Sequence, residues 1–119
     1  MIELWQTEWC PASRRVRQRL TELDVTYVAH QVPVGKADRG ALLAAAGTDT
    51  VPALVLDDGT PVIGEAAVVA WLDANVAVPA GAEAHREKAA KVRRRAIREA
   101  ADELLARPHP HPETIEVSR

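Results

Sequence analysis

The sequence is poor in the features that usually announce a function. It has one cysteine, so no disulfide can form within the chain and no internal thiol pair can pass electrons. That usage fits a reducing compartment, and the chain reads as cytoplasmic. It has no phenylalanine and only 3% aromatic residues, so Leu, Val, Ile and Ala must build the core. Lys and Arg number 15 against 17 Asp and Glu, a formal net charge of -2. No overall field draws nucleic acid or an anionic membrane, and neither is expected as a partner. No apolar run approaches the roughly 18 residues of a spanning helix. The opening "MIELWQTEW" has no basic segment followed by an apolar stretch, so no signal peptide is expected. What remains is 119 residues, 47% hydrophobic, enough for one domain around one real core.

The hydrophobic pattern orders the elements. Ile2 and Leu4 open a strand. "PASRRVRQRLTEL" is a helix with Pro11 in its first turn, where a missing N–H costs nothing; Val16, Leu20 and Leu23 form its apolar stripe. "VTYVAHQV" is a β-branched strand. "KADRGALLAAAG" predicts a helix over 36–47 with Gly47 as its C-cap. "ALVLD" and "PVI" flank Asp58-Gly59, a hairpin signal. "EAAVVAWLDANV" is a helix with Val68, Val69, Leu72 and Val76 inward, and with Trp71 as core or helix-contact surface. "AVPAG" is a linker, and a long Ala-rich helix follows to Arg107. The order β-α-β-α-β-β-α requires a right-handed crossover between the early strands, hence a parallel pair. The hairpin adds an antiparallel pair. The fold class is α/β: a mixed four-stranded sheet flanked by helices, plus one extra C-terminal helix.

The chemistry centres on "TEWCPASRR". Cys10 stands immediately before a helix start. Free N–H groups and the positive end of the helix dipole favour thiolate there. The amides of Ala12 and Ser13, the Ser13 hydroxyl, and the charges of Arg14 and Arg15 are available to it. The thiol is expected to be partly exposed and to titrate below the free value of about 8.5. Read from Cys10 alone, a buried cysteine serving as a small hydrophobe is equally open. Trp9 either lines a substrate groove or covers the helix start. Elsewhere, His109 and His111 alternate with prolines in a tail read as flexible and lack further ligands, so no metal site is expected. Lys88, Lys91, Arg93, Arg94 and Arg95 are diluted by Glu87, Glu99, Asp102 and Glu103 and read as a solvated face.

This element order, with "WCPAS" at the first strand–helix junction and "TVPAL" before the third strand, resembles the thioredoxin superfamily. More narrowly it resembles glutaredoxins and the N-terminal domain of glutathione transferases, over Met1 to Val76. "IGEAAVVAWLD" resembles the transferase stretch that receives the γ-glutamyl end of glutathione. "TEWC" is similar to the Thr-x-Trp-Cys of mycoredoxins, which use mycothiol. The resemblance implies a glutaredoxin-type fold with Cys10 as nucleophile beside Ser13, and with Pro52 as the cis-proline facing it. It implies that Val51 offers its backbone to the cysteinyl part of a thiol peptide, as an added strand would, and that Glu65 meets a γ-glutamyl ammonium. Trp9, Pro11 and Ala66 complete the implied thiol-peptide site. Read without the resemblance, Glu65 is an acidic residue complementing a helix dipole.

Two departures stand out. Ala66 replaces the Ser or Thr of transferases, so one hydrogen bond is missing. Gln6, Thr7 and Glu8 stand where many glutaredoxins have Lys, and Glu8 should oppose a low thiolate pKa. Pro11 replaces the Gly of cluster-carrying monothiol glutaredoxins, so no bound cofactor is expected. With Ser13 where a second cysteine would sit, the implied activity is a monothiol thiol–disulfide oxidoreductase. Its co-substrate is a low-molecular-weight thiol, glutathione or mycothiol, and its partners are disulfide substrates. A non-catalytic binding or assembly module and a minimal glutathione-transferase-like protein are the alternatives. The expected organisation is a domain over 1–78, a linker and helix over 79–107, and the tail over 108–119. The Ile97/Ala101/Leu104 side of that helix must be buried, either on its own domain or on a second copy as a homodimer.

Overall fold

The computed structural model describes residues 1–108; His109, His111 and the expected tail beyond Pro108 lie outside the described residues. Strand β1 (Ile2–Gln6) is central to the sheet. Its alternation decides two faces: Ile2 and Leu4 pack with one apolar cluster, Trp5 with another. Helix α1 (Pro11–Glu22) follows, with Val16 and Leu20 fully buried. Strand β2 (Tyr27–Gln31) pairs parallel to β1, Ile2 opposite Tyr27 and Gln6 opposite Gln31. Strands β3 (Ala53–Val55) and β4 (Pro61–Ile63) form the hairpin, and β3 pairs antiparallel with β1. The sheet order is β2-β1-β3-β4, the mixed four-stranded sheet expected from the sequence.

Helices α1 and α3 (Glu65–Asn75) cover one face. There Leu4, Val16, Leu20, Leu23, Leu54, Val68 and Leu72 form the larger core, and Trp71 packs at its margin. On the other cluster, Leu42 and Ala46 of α2 (Gly40–Ala46) meet Val32, Ala53 and Val55.

The helix expected over 36–47 is divided. A 3₁₀ turn spans Lys36–Asp38, and α2 begins only at Gly40. Arg39 lies between them, 6% exposed, and donates to the carbonyls of Pro33 (2.8 Å), Val34 (3.1 Å) and Asp49 (2.7 Å). A guanidinium can gather carbonyls from several segments at once, and here it outweighs helix continuity. The α2 C-cap is Gly47 at φ 70, a left-handed conformation that glycine adopts without a Cβ penalty.

The described residues form two compact units, Met1–Arg86 and a second that begins at Glu87. Helix α4 (Ala82–Ala106) starts in the first. There Ala82 is buried, and Arg86 donates to the buried carboxylate of Glu22 at 3.1 Å. Gln18 and Arg19 also donate to Glu22, at 3.0 and 2.9 Å. Burial pushes the Glu22 carboxyl up, but these three donors outweigh it and hold it below its ordinary range. Farther along α4, Ile97, Leu104 and Leu105 are 62, 61 and 75% exposed.

Candidate functional site

The topology gathers three loops at one end of the sheet. Trp5, near the end of β1, lies opposite Ala53 at the start of β3, and Ala53 lies opposite Ile63 at the end of β4. The segments after β1, before β3 and after β4 therefore share this end, and they carry Cys10, Val51-Pro52 and Glu65. The Val51-Pro52 peptide is cis, as the family resemblance implies. The Gly64 amide donates to the Pro52 carbonyl at 2.9 Å, tying two of the loops together. Gly64 has φ 90, a conformation that side chains resist, and it turns the chain into α3.

Cys10 is the N-cap of α1, with extended backbone angles (φ -75, ψ 121). A turn presents it: the Cys10 amide donates to the Thr7 carbonyl at 3.3 Å, and the Arg14 amide to the Cys10 carbonyl at 3.0 Å. The side chain is partly exposed. Its burial pushes the thiol up. Donors from the Ser13 amide and hydroxyl, the Ala12 amide and the Thr7 hydroxyl together outweigh burial, and the thiol sits below its ordinary value. Ser13 is fully buried, and its Oγ accepts from the Thr7 amide at 3.4 Å. The donors expected at this helix start are thus in place, and Thr7 joins them. Trp9 beside the cysteine is 66% exposed, which leaves its indole open to a ligand. Pro11 is exposed as well, Val51 is half-buried and Pro52 is buried.

Glu65 already has a partner. Arg15, one helical turn beyond Cys10, forms a two-pronged ion pair with it: Nε donates to Oε1, and Nη2 to Oε2 at 2.7 Å. This pairing holds the Glu65 carboxyl below its ordinary range, against a smaller effect of burial. The Arg15 guanidinium is also close enough to interact with the Cys10 charge. Glu8, expected to oppose the thiolate, is instead 3.3 Å from Arg17 at the surface. An open depression of about 530 Å³ along α3 is lined by Glu65, Ala66, Val69, Ala70 and Asp73. Glu65 and Ala66 border it, and Cys10 does not.

Two roles at this site escaped the sequence reading: Thr7 as a donor to the sulfur and Arg15 as the partner of Glu65. Thr7 had a signal in the Thr-x-Trp-Cys string. The Arg15 pairing had none, since Arg14, Arg15, Arg17 and Arg19 are equivalent on a linear chain. Among the described residues, no group of three or more His, Cys, Asp or Glu is placed to hold a metal ion, and no helix is long and apolar enough to cross a membrane.

Residues 9–75 match the model of the glutathione S-transferase N-terminal domain. The chain belongs to this family. Solved structures of similar proteins agree. A glutathione S-transferase domain-containing protein from Marinobacter aquaeolei VT8 is 32% identical, with TM-score 0.55, over 65% of this chain and 40% of its own. A glutathione transferase homologue from Sulfitobacter, solved with bound glutathione, is 26% identical, with TM-score 0.57, over 64% and 37%. A glutathione S-transferase from Rhodospirillum rubrum F11 is 27% identical, with TM-score 0.55, over 68% and 39%. The present transferase-type domain therefore spans about two fifths of the length of these structures. A comparison with curated proteins gave no match. The fold is thioredoxin-like, as the order of elements around "WCPAS" and "TVPAL" implies.

Proposed function

We propose that this chain is a monothiol thiol–disulfide oxidoreductase that acts through Cys10 with a low-molecular-weight thiol, in the cytoplasm. The observation that carries this reading is a partly exposed thiol at a helix N-cap, below its ordinary pKa, with Ser13 rather than a second cysteine as its neighbour. The Cys10 thiolate attacks the carrier-thiol sulfur of a mixed disulfide. The S–S bond breaks, the substrate sulfur leaves as thiolate and takes a proton from solvent, and Cys10 holds the carrier as a new disulfide. A second carrier thiolate attacks that carrier sulfur, forms the symmetric disulfide and releases Cys10 as thiolate. The sum is mixed disulfide plus thiol giving reduced substrate plus carrier disulfide.

Glutathione and mycothiol are the candidate carriers. Glutathione is bound in the Sulfitobacter homologue. In this chain its γ-glutamyl ammonium would meet a Glu65 already paired with Arg15, and Ala66 would offer no hydroxyl. An exposed ion pair is worth only about 0–1 kcal/mol, so an ammonium can share that carboxylate. Trp9, Pro11, Val51 and Pro52 would hold the cysteinyl part. The test is mass spectrometry of the whole chain after exposure to oxidised glutathione and, separately, oxidised mycothiol. An adduct on Cys10 that free thiol removes is expected; no adduct with either disulfide would overturn the proposal.

The family membership favours a second reading, a minimal transferase-like protein that only activates a bound thiol. It forms no covalent adduct on Cys10 during turnover, so the same mass spectrometry, taken during turnover, separates the two. A non-catalytic assembly module would show neither adduct nor activation. In either enzymatic case we place a homodimer contact on α4. Its exposed Ile97 lies within a basic stretch (Arg94, Arg95, Arg98), and its exposed Leu104 follows an acidic one (Glu99, Asp102, Glu103). Antiparallel pairing of two copies sets unlike charges opposite one another. Sedimentation should then find a dimer that Leu104→Asp converts to monomer.

A further inference from the structure

Thr7 carries a buried hydroxyl beside the Cys10 sulfur that has no other group to bond. The residue is 2% exposed, and its Oγ1 is buried without a hydrogen-bond partner. Burying a hydroxyl unpaired is costly, and such groups are rare in folded proteins. The backbone of Thr7 is clamped from both sides. Its amide donates to Ser13 Oγ at 3.4 Å, and its carbonyl accepts from the Cys10 amide at 3.3 Å. These bonds hold Thr7 in the turn that presents Cys10, with the hydroxyl on the sulfur side. A neutral thiol is a weak acceptor, and a thiolate is a strong one. The orphaned donor therefore gains its partner only when the sulfur is charged.

We propose that Thr7 is a catalytic residue of the thiol site, whose hydroxyl donates to Cys10 Sγ whenever that sulfur carries negative charge. The inference rests on the reading of Cys10 as nucleophile. The thiol loses its proton to a solvent base, the electron pair stays on Sγ, and Thr7 donates to it while keeping its own proton. When Sγ attacks a disulfide, the charge passes to the leaving sulfur and the Thr7 bond weakens. When Cys10 is itself released, the charge returns and the bond forms again, which makes Cys10 a better leaving group. Ser13 acts beside it: its oxygen is occupied by the Thr7 amide, which leaves its proton for the sulfur.

The test is the rate of iodoacetamide alkylation against pH for the full chain, for Thr7→Val, which keeps the shape and removes the hydroxyl, and for Thr7→Ser, which keeps the hydroxyl. At pH 7 Thr7→Val should react roughly three- to tenfold more slowly, the loss of one hydrogen bond to a charged group. Its midpoint should move upward, its high-pH plateau should stay within about twofold of the wild type, and Thr7→Ser should recover the wild-type profile. A Thr7→Val profile that superimposes on the wild type would overturn the proposal. So would a plateau that falls as far as the rate at pH 7, or a Thr7→Ser profile as impaired as Thr7→Val. If Thr7→Val does not fold, Thr7→Ala is compared with wild type by ultraviolet thiolate absorbance against pH, and an unshifted midpoint overturns the assignment. A wild-type midpoint at the ordinary cysteine value would overturn the nucleophile reading itself. A lowered wild-type midpoint that survives removal of the hydroxyl overturns only the role of Thr7.

Discussion

Replacing Glu22 by Gln tests whether the charge at the end of α1 stabilises the domain. The Glu22 side chain is 5% exposed and takes donors from Gln18, Arg19 and Arg86. Glu22→Gln keeps the shape and turns two charge-to-charge contacts into bonds to a neutral amide. A hydrogen bond between charged groups is worth about 1.5–3 kcal/mol and a neutral one about 1. The cations are not orphaned by the change, because Arg19 keeps Asp73 at 2.8 Å and Arg86 keeps Glu83 at 3.2 Å. The expected cost at pH 7 is therefore near the low end, about 1–2 kcal/mol. The pH dependence supplies the sharper test. The native carboxyl lies below its ordinary value of 4.5. The unfolded chain thus takes up its proton first, and stability falls as pH drops from the unfolded value through the native one. Above that window the contribution of the charge is fully present; below it the contribution is gone. Urea unfolding of both proteins at pH 7 and near pH 3 should give a clear gap at the first and a smaller one at the second. The other carboxylates titrate alike in both proteins and cancel in the difference. No gap at pH 7, or an equal gap at both, would refute this account.

Ser13→Ala should slow alkylation of Cys10 at pH 7, since it removes a donor to the sulfur. It should also cost about 1–3 kcal/mol, because the buried Thr7 amide loses its acceptor; alkylation profiles and thermal melts check both. Arg39→Met should destabilise the first unit by roughly 2–3 kcal/mol as three carbonyls lose their donor, and hydrogen exchange should rise first around 33–50. Leu20→Ala, in the middle of the larger core, should cost about 2–5 kcal/mol without moving the alkylation midpoint of Cys10.

Elements set by short-range pattern were legible along the chain. Val16, Leu20 and Leu23 fall on one side of a helix by spacing alone, and Pro11 marks where that helix begins. Asp58-Gly59 marks the hairpin: Asp58 Oδ1 accepts from the Thr60 amide at 2.9 Å, and Gly59 has φ 86. The break at Arg39 was not legible. Apolar periodicity continues across it, and the competing acceptors at Pro33, Val34 and Asp49 belong to other segments.

The site divides in the same way. That Cys10 caps a helix, that no second thiol lies near it in sequence, and that Ser13 replaces one are properties of neighbours in the chain, and the sequence by itself determined them. Whether the thiol is lowered was a contest between burial and donors, and burial exists only once the domain is packed. The pairing of Arg15 with Glu65 joins residues fifty positions apart, and it depends on α1 and α3 lying side by side. Glu8, which a linear reading sets against the thiolate, is turned toward Arg17 by the same packing. Charge signs and helix starts act through the nearest few residues. Dielectric surroundings, orphaned hydroxyls and ion-pair partners depend on which segments meet, and those the tertiary structure alone decided.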